Sequence, residues 1–375
     1  MPDARISVRP ANSNKRTAAP GAHWRRLRLI PLAVGALAMA AGLWTGLARL
    51  GVSLPGGVPS MTEFHAAFMI AGFLGTMISL ERAVALGRPW GYMAPVLSSV
   101  GALLLFASVL GAAALTFIAA SGILLLATSI GARRLSLFAV ILAAGAICWA
   151  IGTSLWLIGF SMPVVVGWWL DFLILTIAAE RLELSRFGSP PRMSSVMLTI
   201  AVLLLLIGSA RGELASDWAP FTTVGLLACA AWLLRFDIAR RTIRGQGQPR
   251  FSACAILAGQ MWLGVAGALL LFVPPGVAAF SYDAAVHAIA IGFVLSMIFA
   301  HAPIILPAII GARVGYSGAV YAPLILLHFS VLLRVASDLF EWSDLRSASG
   351  IFTVLALLGY AITIAVASRR PNPTT

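Results

Sequence analysis

The sequence predicts an all-α protein that crosses a membrane many times, and three observations lead to that fold class. Hydrophobic residues make up 60% of the 375 residues and charged residues only 10%, which is far from the composition of a soluble globular domain. The mean hydropathy is +0.95. The apolar residues are grouped in runs of about 20, the length that crosses ~30 Å of hydrocarbon as a helix. We therefore expect a polytopic integral membrane protein.

Twelve such runs follow one another, and the segments between them are too short to hold a soluble domain. They are predicted at 27–50, 63–86, 92–110, 112–131, 135–158, 162–182, 193–210, 218–236, 251–272, 281–308, 318–340 and 349–368. Residues 27–368 then form one twelve-helix transmembrane domain. A basic tail precedes it at 1–26, which we expect to be disordered, and a short tail follows at 369–375.

The positive charge is distributed as expected for a membrane protein. The net charge is +13, with 26 Lys and Arg residues. If the N-terminus is cytoplasmic, 22 of these lie on the cytoplasmic side and three lie outside, with Arg334 inside a span. This asymmetry predicts an N-in, C-in topology. Because topology and contact with anionic lipid explain the charge, we expect the lipid bilayer as a partner and no nucleic acid.

Four histidines lie inside the predicted spans, where ligating groups are costly and usually serve a function. They are His65, His287, His301 and His328. At 1.5 Å per residue, His65 and His287 lie roughly 3 and 6 Å below the outer boundary, and Arg334 reaches a similar level. A bis-histidine haem b needs two axial imidazoles, and an arginine suits its propionates. Asp338, one helical turn from Arg334, is the alternative partner for that arginine.

A second set of polar groups is predicted deeper in the membrane. His301 follows His287 by fourteen residues, so both imidazoles face one side of the helix about 21 Å apart. His328 lies near mid-depth, close to the level of Asp171 and Gln260. His301 and His328 are candidate ligands for copper or a second haem. Asp171 and Gln260 are candidates for a proton relay, or for structural hydrogen bonds in which Asp171 pairs with His328 or Gln260.

Residues around the histidines add local expectations. Gly72, on the face of His65, either lets a flat ligand approach the backbone or serves helix packing. The Asp283 carboxylate is one turn before His287 and could orient it. Pro303 frees the carbonyl of Phe299, which predicts a polar pocket.

Two Glu-Arg pairs end predicted spans on the cytoplasmic side, at Glu81-Arg82 and Glu180-Arg181. Exposed pairs of this kind contribute little stability. We expect both to be surface ion pairs.

Spans 2 and 10 are similar in sequence. Gly72-Phe-Leu-Gly-Thr-Met-Ile78 is similar to Gly292-Phe-Val-Leu-Ser-Met-Ile298, and each follows a His-Ala pair at His65 and His287. The His-to-Gly distances are seven and five residues. Both spans run from outside to inside, as two helices that hold one cofactor would.

Together these segments resemble a known family. The stretch from His65 to Met77, the stretch from His287 to Phe293, and Leu332-Leu-Arg334-Val-Ala resemble the NnrS-type membrane proteins. The resemblance implies a haem- and copper-containing protein of a bacterial inner membrane that acts in resistance to nitric oxide and nitrosative stress. His65, His287 and Arg334 are the matching positions.

The chain departs from that pattern after span 10. It has Phe299-Ala-His301-Ala-Pro and Gly311-Ala-Arg313-Val-Gly where the family has a Met-x-x-Arg and a Gly-His-Thr-Gly-Arg stretch. A divergent relative is therefore expected. Subunit I of haem-copper oxidases is similar in span number and in outer histidines on spans 2 and 10, but this chain lacks their adjacent His-His copper pair. From another class, a permease could use His301, His328, Asp171 and Gln260 to line a substrate path.

Overall fold

The structure is a computed structural model that describes residues 22–55, 59–131, 136–311 and 314–369. The described residues form a bundle of apolar helices and contain no strand. Residues 1–21 and 370–375, most of the two predicted tails, lie outside the described residues. The helices are α1 (Ala22–Arg49), α2 (Ala67–Leu86), α3 (Met93–Phe106), α4 (Leu110–Gly131), α5 (Leu137–Leu157), α6 (Met162–Ser185), α7 (Arg192–Ala210), α8 (Pro220–Phe236), α9 (Gly247–Phe272), α10 (Ser281–Ile310), α11 (Tyr321–Leu339) and α12 (Ser343–Arg369).

Eleven of these helices are long and apolar enough to cross a membrane, counted over the described residues. Among them, α3 reaches that length together with the 3-10 turn Pro89–Tyr92 that precedes it, and the exception is α8, an apolar helix of 17 residues. Its first turn is capped by the buried carboxylate of Glu213, which accepts hydrogen bonds from the backbone N–H of Thr222 at 2.8 Å and of Phe221 at 3.4 Å. A carboxylate at a helix N-terminus satisfies free N–H groups and interacts favourably with the helix dipole. Because the described residues form long apolar helices, the fold class is that of a polytopic helical membrane protein.

Short connections make most consecutive helices neighbours in space. The neighbouring pairs are α3 with α4, α4 with α5, α5 with α6, α7 with α8, α8 with α9, and α11 with α12. Among the candidate spans, α6 is the most enclosed. We call the side of the bundle on which α1 begins the N-terminal face, and the side on which α1 ends the opposite face.

His65 lies two residues before α2 and His287 lies in α10, and these two helices share an unusual local geometry. Each histidine is followed by a π-helical segment, Ala67–Gly75 in α2 and Ala288–Leu295 in α10, and the helix then returns to α geometry at Thr76 or Ser296. Such wide turns are rare and occur often at functional sites. The hydroxyls of Thr76 and Ser296 donate to the carbonyls of Gly72 and Gly292 at 2.7 and 2.6 Å. The sequence similarity of the two spans therefore corresponds to a structural similarity.

The similarity extends to the preceding helices. The π-helical segment of α2 packs on α1, and that of α10 packs on α9. Met77 packs over Gly35 of α1, and Met297 packs over Gly259 of α9. The α1–α2 and α9–α10 pairs are therefore two versions of one unit, and each unit supplies one histidine at the opposite face.

Helix α10 continues through Pro303 and Pro307. The Phe299 carbonyl, which Pro303 leaves without its helical donor, accepts a hydrogen bond from the Tyr360 hydroxyl of α12. The next carbonyl, that of Ala300, accepts from Ser252 of α9 at 2.8 Å. The prediction of a polar pocket at Phe299 was therefore wrong, because neighbouring helices satisfy these carbonyls.

Candidate functional site

The structure brings His65 and His287 together at the opposite face. Their ring centroids lie 6.4 Å apart and the ring planes are inclined by only 19°. Both side chains are partly buried. We call these two residues the histidine pair.

Backbone carbonyls hold both rings by the same nitrogen. His65 Nδ1 lies 2.7 Å from the carbonyl oxygen of Gly42 in α1, and His287 Nδ1 lies 2.8 Å from that of Asp283, one turn earlier in α10. A carbonyl only accepts, so Nδ1 carries the proton and Nε2 keeps its lone pair. No hydrogen bond to either Nε2 occurs within the described residues. This arrangement is typical of metal-binding histidines.

Gly46 of α1 makes room for the His65 ring. A Cβ atom at Gly46 would lie 2.8 Å from His65 Cε1 and 3.0 Å from its Nδ1. Gly42, which supplies the carbonyl, is one helical turn earlier. The Gly42-Leu-Trp-Thr-Gly46 segment of α1 therefore sets both the position and the tautomer of His65.

The separation of the two rings matches that of two imidazoles bound to one metal ion. With metal–imidazole bonds of about 2.0–2.1 Å and nitrogens ~1.2 Å from the ring centroids, a metal ion directly between the two nitrogens places the centroids about 6.4–6.6 Å apart. The observed separation is 6.4 Å. Two axial nitrogens from separate helices are the protein ligands of a bis-histidine haem. His65 and His287 are therefore the residues that could hold one metal ion between them.

Two arginines and two aspartates form an ion-pair network beside the histidine pair. Arg334 Nε donates to Asp338 at 2.8 Å, and its Nη2 lies 3.4 Å from Asp283. Arg346 of α12 donates to Asp338 at 2.5 Å and to Asp283 at 2.9 Å. The contact of Arg334 with Asp338 is the alternative that the sequence offered. We expected the carboxylate of Asp283 to orient His287. The backbone carbonyl of Asp283 orients the ring instead.

Further groups extend this network. Arg346 lies over the Phe280 ring, 3.4 Å from its centroid. Arg49, at the end of α1, is close enough to interact electrostatically with His65 and Asp283. Guanidinium groups bind carboxylates in planar, bidentate geometry. Arg334 stays the predicted propionate partner, although Asp283 and Asp338 already pair with it, and Arg346 and Arg49 are the other arginines near the histidine pair.

Gly72 does not serve the histidine pair. It packs against Ala38 of α1 and Ala102 of α3. The expectation that Gly72 lets a flat ligand approach the backbone was wrong, and the helix-packing alternative is correct. Small residues at such positions let neighbouring membrane helices come close.

His301 belongs to a separate set of residues near the N-terminal face, which we call the lower network. It consists of Glu81, Arg82, Glu180, Arg181, Asp237, Gln260 and His301. Arg82 of α2 contacts Glu81 at 3.3 Å and also Glu180 of α6. Arg181 Nη2 lies 2.7 Å from His301 Nε2, and Arg181 is only 5% exposed. The two Glu-Arg pairs are therefore one network across α2, α6 and α10, not separate surface ion pairs.

The remaining predicted groups lie apart from each other. Asp171 accepts a hydrogen bond from Ser209 at 2.7 Å. Gln260 donates to Asp237 at 2.7 Å. His328 Nδ1 accepts from the indole of Trp262 at 3.0 Å. The expected pairs of Asp171 with His328 or Gln260 are therefore not formed, because each group has a nearer partner elsewhere in the fold.

A second metal site at His301 and His328 stays a prediction. His301 uses Nδ1 for the Met297 carbonyl and Nε2 for Arg181, whereas His328 Nε2 is buried without a hydrogen-bond partner. In the described ranges no group of three or more His, Cys, Asp or Glu residues could hold a metal ion. The histidine pair is the better candidate for a cofactor, because both of its Nε2 atoms are without a hydrogen-bond partner, whereas both nitrogens of His301 have one.

Sequence reasoning missed three features of these sites, although the sequence contains a signal for each. Gly42 and Gly46 form a small-xxx-small pattern, which marks close helix contact. Arg181 lies inside predicted span 6, where a charge suggests a buried partner. Arg346 was used only to predict the topology. It follows Asp338 by eight residues across a short turn, and this spacing is the signal for an ion pair between the two residues.

Fold and site together define a polytopic helical membrane protein with a histidine pair between two similar helices. The chain belongs to the family described as "Domain of unknown function (DUF8744)", whose model matches residues 28–369. That match includes all of the residues of both sites. No curated protein matches the sequence.

Proposed function

We propose that this protein binds haem b within the membrane, with His65 and His287 as the axial ligands. The observation that carries the proposal is the histidine pair itself. Its rings are 6.4 Å apart and nearly parallel, and each Nδ1 is held by a carbonyl so that Nε2 is free. A structural role alone would not require both Nε2 atoms to stay without a hydrogen-bond partner.

The proposal includes a topology. All twelve helices cross the membrane, and both termini lie in the cytoplasm of a bacterium. The 17 residues of α8 span roughly 26 Å, close to the thickness of the hydrocarbon core. The N-terminal face is then cytoplasmic, because Lys and Arg are concentrated on that side. The histidine pair lies near the periplasmic surface of the inner membrane.

The chemistry proposed for this haem is redox chemistry in nitric oxide or nitrosative-stress metabolism. Bound haem would supply a one-electron centre, and the chain's residues would fix its axial ligands and propionates. The nitric oxide assignment rests on the resemblance of the segments at His65, His287 and Arg334 to NnrS-type proteins. A second cofactor at His301 and His328, copper or a second haem, is the less supported part of the proposal, because both ring nitrogens of His301 already have hydrogen-bond partners. Metal analysis alongside haem quantification tests it.

The competing proposal is a permease with a path along His301, His328, Asp171 and Gln260. Each of these groups has a hydrogen-bond partner on another part of the protein. Asp171 and His328 share no hydrogen bond with each other or with the lower network in the described part of the chain. A substrate path would need these polar groups to follow one another, and they are instead dispersed among separate partners. The haem proposal is therefore favoured over the permease.

A visible spectrum of the detergent-purified protein tests the proposal. Protein from haem-replete cells should show a Soret band and sharp α and β bands on dithionite reduction, as six-coordinate low-spin haem does. His65→Ala and His287→Ala should each abolish or broaden these bands, because loss of one axial ligand leaves the haem five-coordinate or unbound.

His328→Ala is the matched control, since it removes another intramembrane imidazole without touching the pair. It should keep the low-spin bands. A colourless wild-type protein, or two pair variants with the wild-type spectrum, would contradict the assignment. A colourless protein that transports a solute would support the permease.

A further inference from the structure

The exposed arginines of the N-terminal face are not spread evenly over its loops. Among the arginines whose side chains the structure describes, nine are exposed on this face. Seven of them lie in two connections, α6–α7 and α8–α9, or at the helix ends beside them. We call these seven the arginine surface: Arg186, Arg192, Arg235, Arg240, Arg241, Arg244 and Arg250. A topology signal needs only an excess of basic residues on one side, so topology does not explain this concentration.

Acidic groups compensate very little of the charge of the arginine surface. Glu183 pairs with Arg186, and within the described residues none of the other six arginines forms an ion pair. Asp237, the one acid between α8 and α9, is buried, and its carboxylate accepts from the Ala239 N–H at 2.8 Å and from Gln260 at 2.7 Å. Seven arginines and one exposed glutamate leave the surface with a net charge of +6.

The buried polar groups next to the arginine surface do not offset its charge. The lower network shares Asp237 with the α8–α9 connection, and its three carboxylates are matched by only two arginines. Arg28 is a third arginine at this end of α10, where it donates to the Ala308 carbonyl at 3.2 Å. Three positive and three negative charges cancel, so the excess positive charge belongs to the surface.

Contacts with backbone carbonyls bring arginines of the two connections together. Arg241 Nη1 donates to the Phe187 carbonyl at 3.5 Å, and a Cβ atom at Gly188 would lie 3.8 Å from the central carbon of the Arg241 guanidinium. Arg240 Nη1 donates to the Arg235 carbonyl at 3.1 Å. Each of these contacts uses one of the five N–H donors of a guanidinium and leaves its charge in place. The remaining donors can bind a phosphate group, for which the planar guanidinium is well suited.

Exposed apolar side chains adjoin the arginine surface and continue along α7. Phe187 is 75% exposed and Met193 is 64% exposed. The exposed apolar residues of α7 recur every three or four positions and therefore form one stripe along the helix: Met193, Val196, Met197, Ile200 and Leu203. An acyl chain can lie against this stripe while its headgroup is at Arg192, the first residue of α7. A soluble acidic partner would use the arginines but not the stripe, so the combination favours a lipid.

We infer that the arginine surface is a binding site for an anionic phospholipid, whose phosphate contacts the guanidinium groups and whose acyl chain lies along the exposed stripe of α7. An arginine near a membrane surface strengthens the binding of anionic lipid roughly fivefold. Several arginines in one place therefore hold one lipid at a defined position, which the general attraction of a basic protein for a membrane would not do. The site is on the face away from the histidine pair and does not depend on a bound haem.

Native mass spectrometry of the detergent-purified full-length protein tests the inference, because it resolves the binding of single lipid molecules. The probes are phosphatidylglycerol, which is anionic, and phosphatidylcholine, which is zwitterionic, with identical acyl chains. The first molecule of phosphatidylglycerol should bind at least roughly 25-fold more tightly than the first molecule of phosphatidylcholine, as two arginines on one phosphate would give. Glycerol phosphate, which has the charge without the acyl chains, and polyglutamate should not displace the lipid.

Paired arginine variants locate the binding. Arg240→Gln together with Arg241→Gln should weaken phosphatidylglycerol binding roughly 25-fold and leave phosphatidylcholine binding unchanged. Arg88→Gln together with Arg369→Gln is the matched control, since it removes the same charge from two exposed positions elsewhere on this face, and it should keep the wild-type affinity. Arg240→Gln together with Arg244→Gln is a second pair that leaves the contact of Arg241 with Phe187 in place.

The inference is overturned if the two lipids bind with equal affinity, or if the folded arginine-surface variants bind phosphatidylglycerol as tightly as the control variant. Displacement of the lipid by glycerol phosphate would replace the inference with a site for small anions. Displacement by polyglutamate would replace it with a surface for a soluble acidic partner. Size-exclusion chromatography checks the folding of each variant, and the second pair keeps the test available if the first does not fold.

Discussion

Substitution of Gly46 by alanine isolates the geometry on which the haem proposal depends. The change adds one methyl group on α1 and leaves both histidines in place. The added Cβ would lie 2.8 Å from His65 Cε1, whereas ordinary contact begins at 3.4 Å. The His65 ring or α1 must therefore move by about 0.6 Å.

That displacement is large for a metal ligand. Ligand distances in metal sites hold to within about 0.2 Å, so a shift of 0.6 Å breaks or strains one axial bond. The ring is also held by the Gly42 carbonyl on the same helix, so it cannot move without lengthening this hydrogen bond. Loss of supporting contacts of this kind typically weakens metal affinity about 10–100-fold. Gly46→Ala should reduce haem retention to that extent.

The assay is haem content per mole of purified protein, together with the reduced visible spectrum. Overpacking costs about 1–3 kcal/mol, and replacing a helical glycine by alanine returns up to about 1 kcal/mol, so the bundle should still fold. Gly122→Ala in α4 is the matched control, because a Cβ there meets nothing within 4 Å. Gly46→Ala protein with the haem content and spectrum of Gly122→Ala would refute the argument that α1 positions an axial ligand.

Two further predictions concern residues that support the sites. Tyr360→Phe removes the hydroxyl that donates to the Phe299 carbonyl and should destabilise the bundle by about 1 kcal/mol. The measurement is the thermal midpoint of unfolding in detergent, which should fall. Tyr316→Phe, at an exposed tyrosine, is the control and should leave this midpoint unchanged. Arg334→Ala should weaken haem retention or shift the midpoint potential while the low-spin spectrum stays recognisable, because arginine binds a propionate but not the iron. If occupancy and potential are unchanged, Arg334 serves only Asp283 and Asp338.

The fold class could be predicted from the sequence because it depends on local composition. A run of about 20 apolar residues in hydrocarbon has to be a helix, since no water is present to satisfy its backbone. The rise per residue then placed His65, His287 and Arg334 at one level. The π-helical segments after the two histidines could not be predicted, because they depend on how α2 packs against α1 and α10 against α9.

Contacts between helices were predicted less well, and the failures share one cause. Depth along a span is set by counting residues, but the neighbour at that depth is set by the lateral order and rotation of the helices. Asp171 and His328 were predicted at similar depth, yet they form hydrogen bonds with Ser209 and Trp262. Gly72 shares a face with His65, but α1 and α3 already occupy that surface.

By itself, the sequence determined that this protein is a multi-helix membrane protein and that two imidazoles and an arginine lie near one surface. Only the tertiary structure decided that the two imidazole rings lie 6.4 Å apart, and that Arg181 contacts His301. Periodicity and hydropathy act over one or two helical turns. The separation of two side chains on different helices depends on packing between residues more than one hundred positions apart in the sequence.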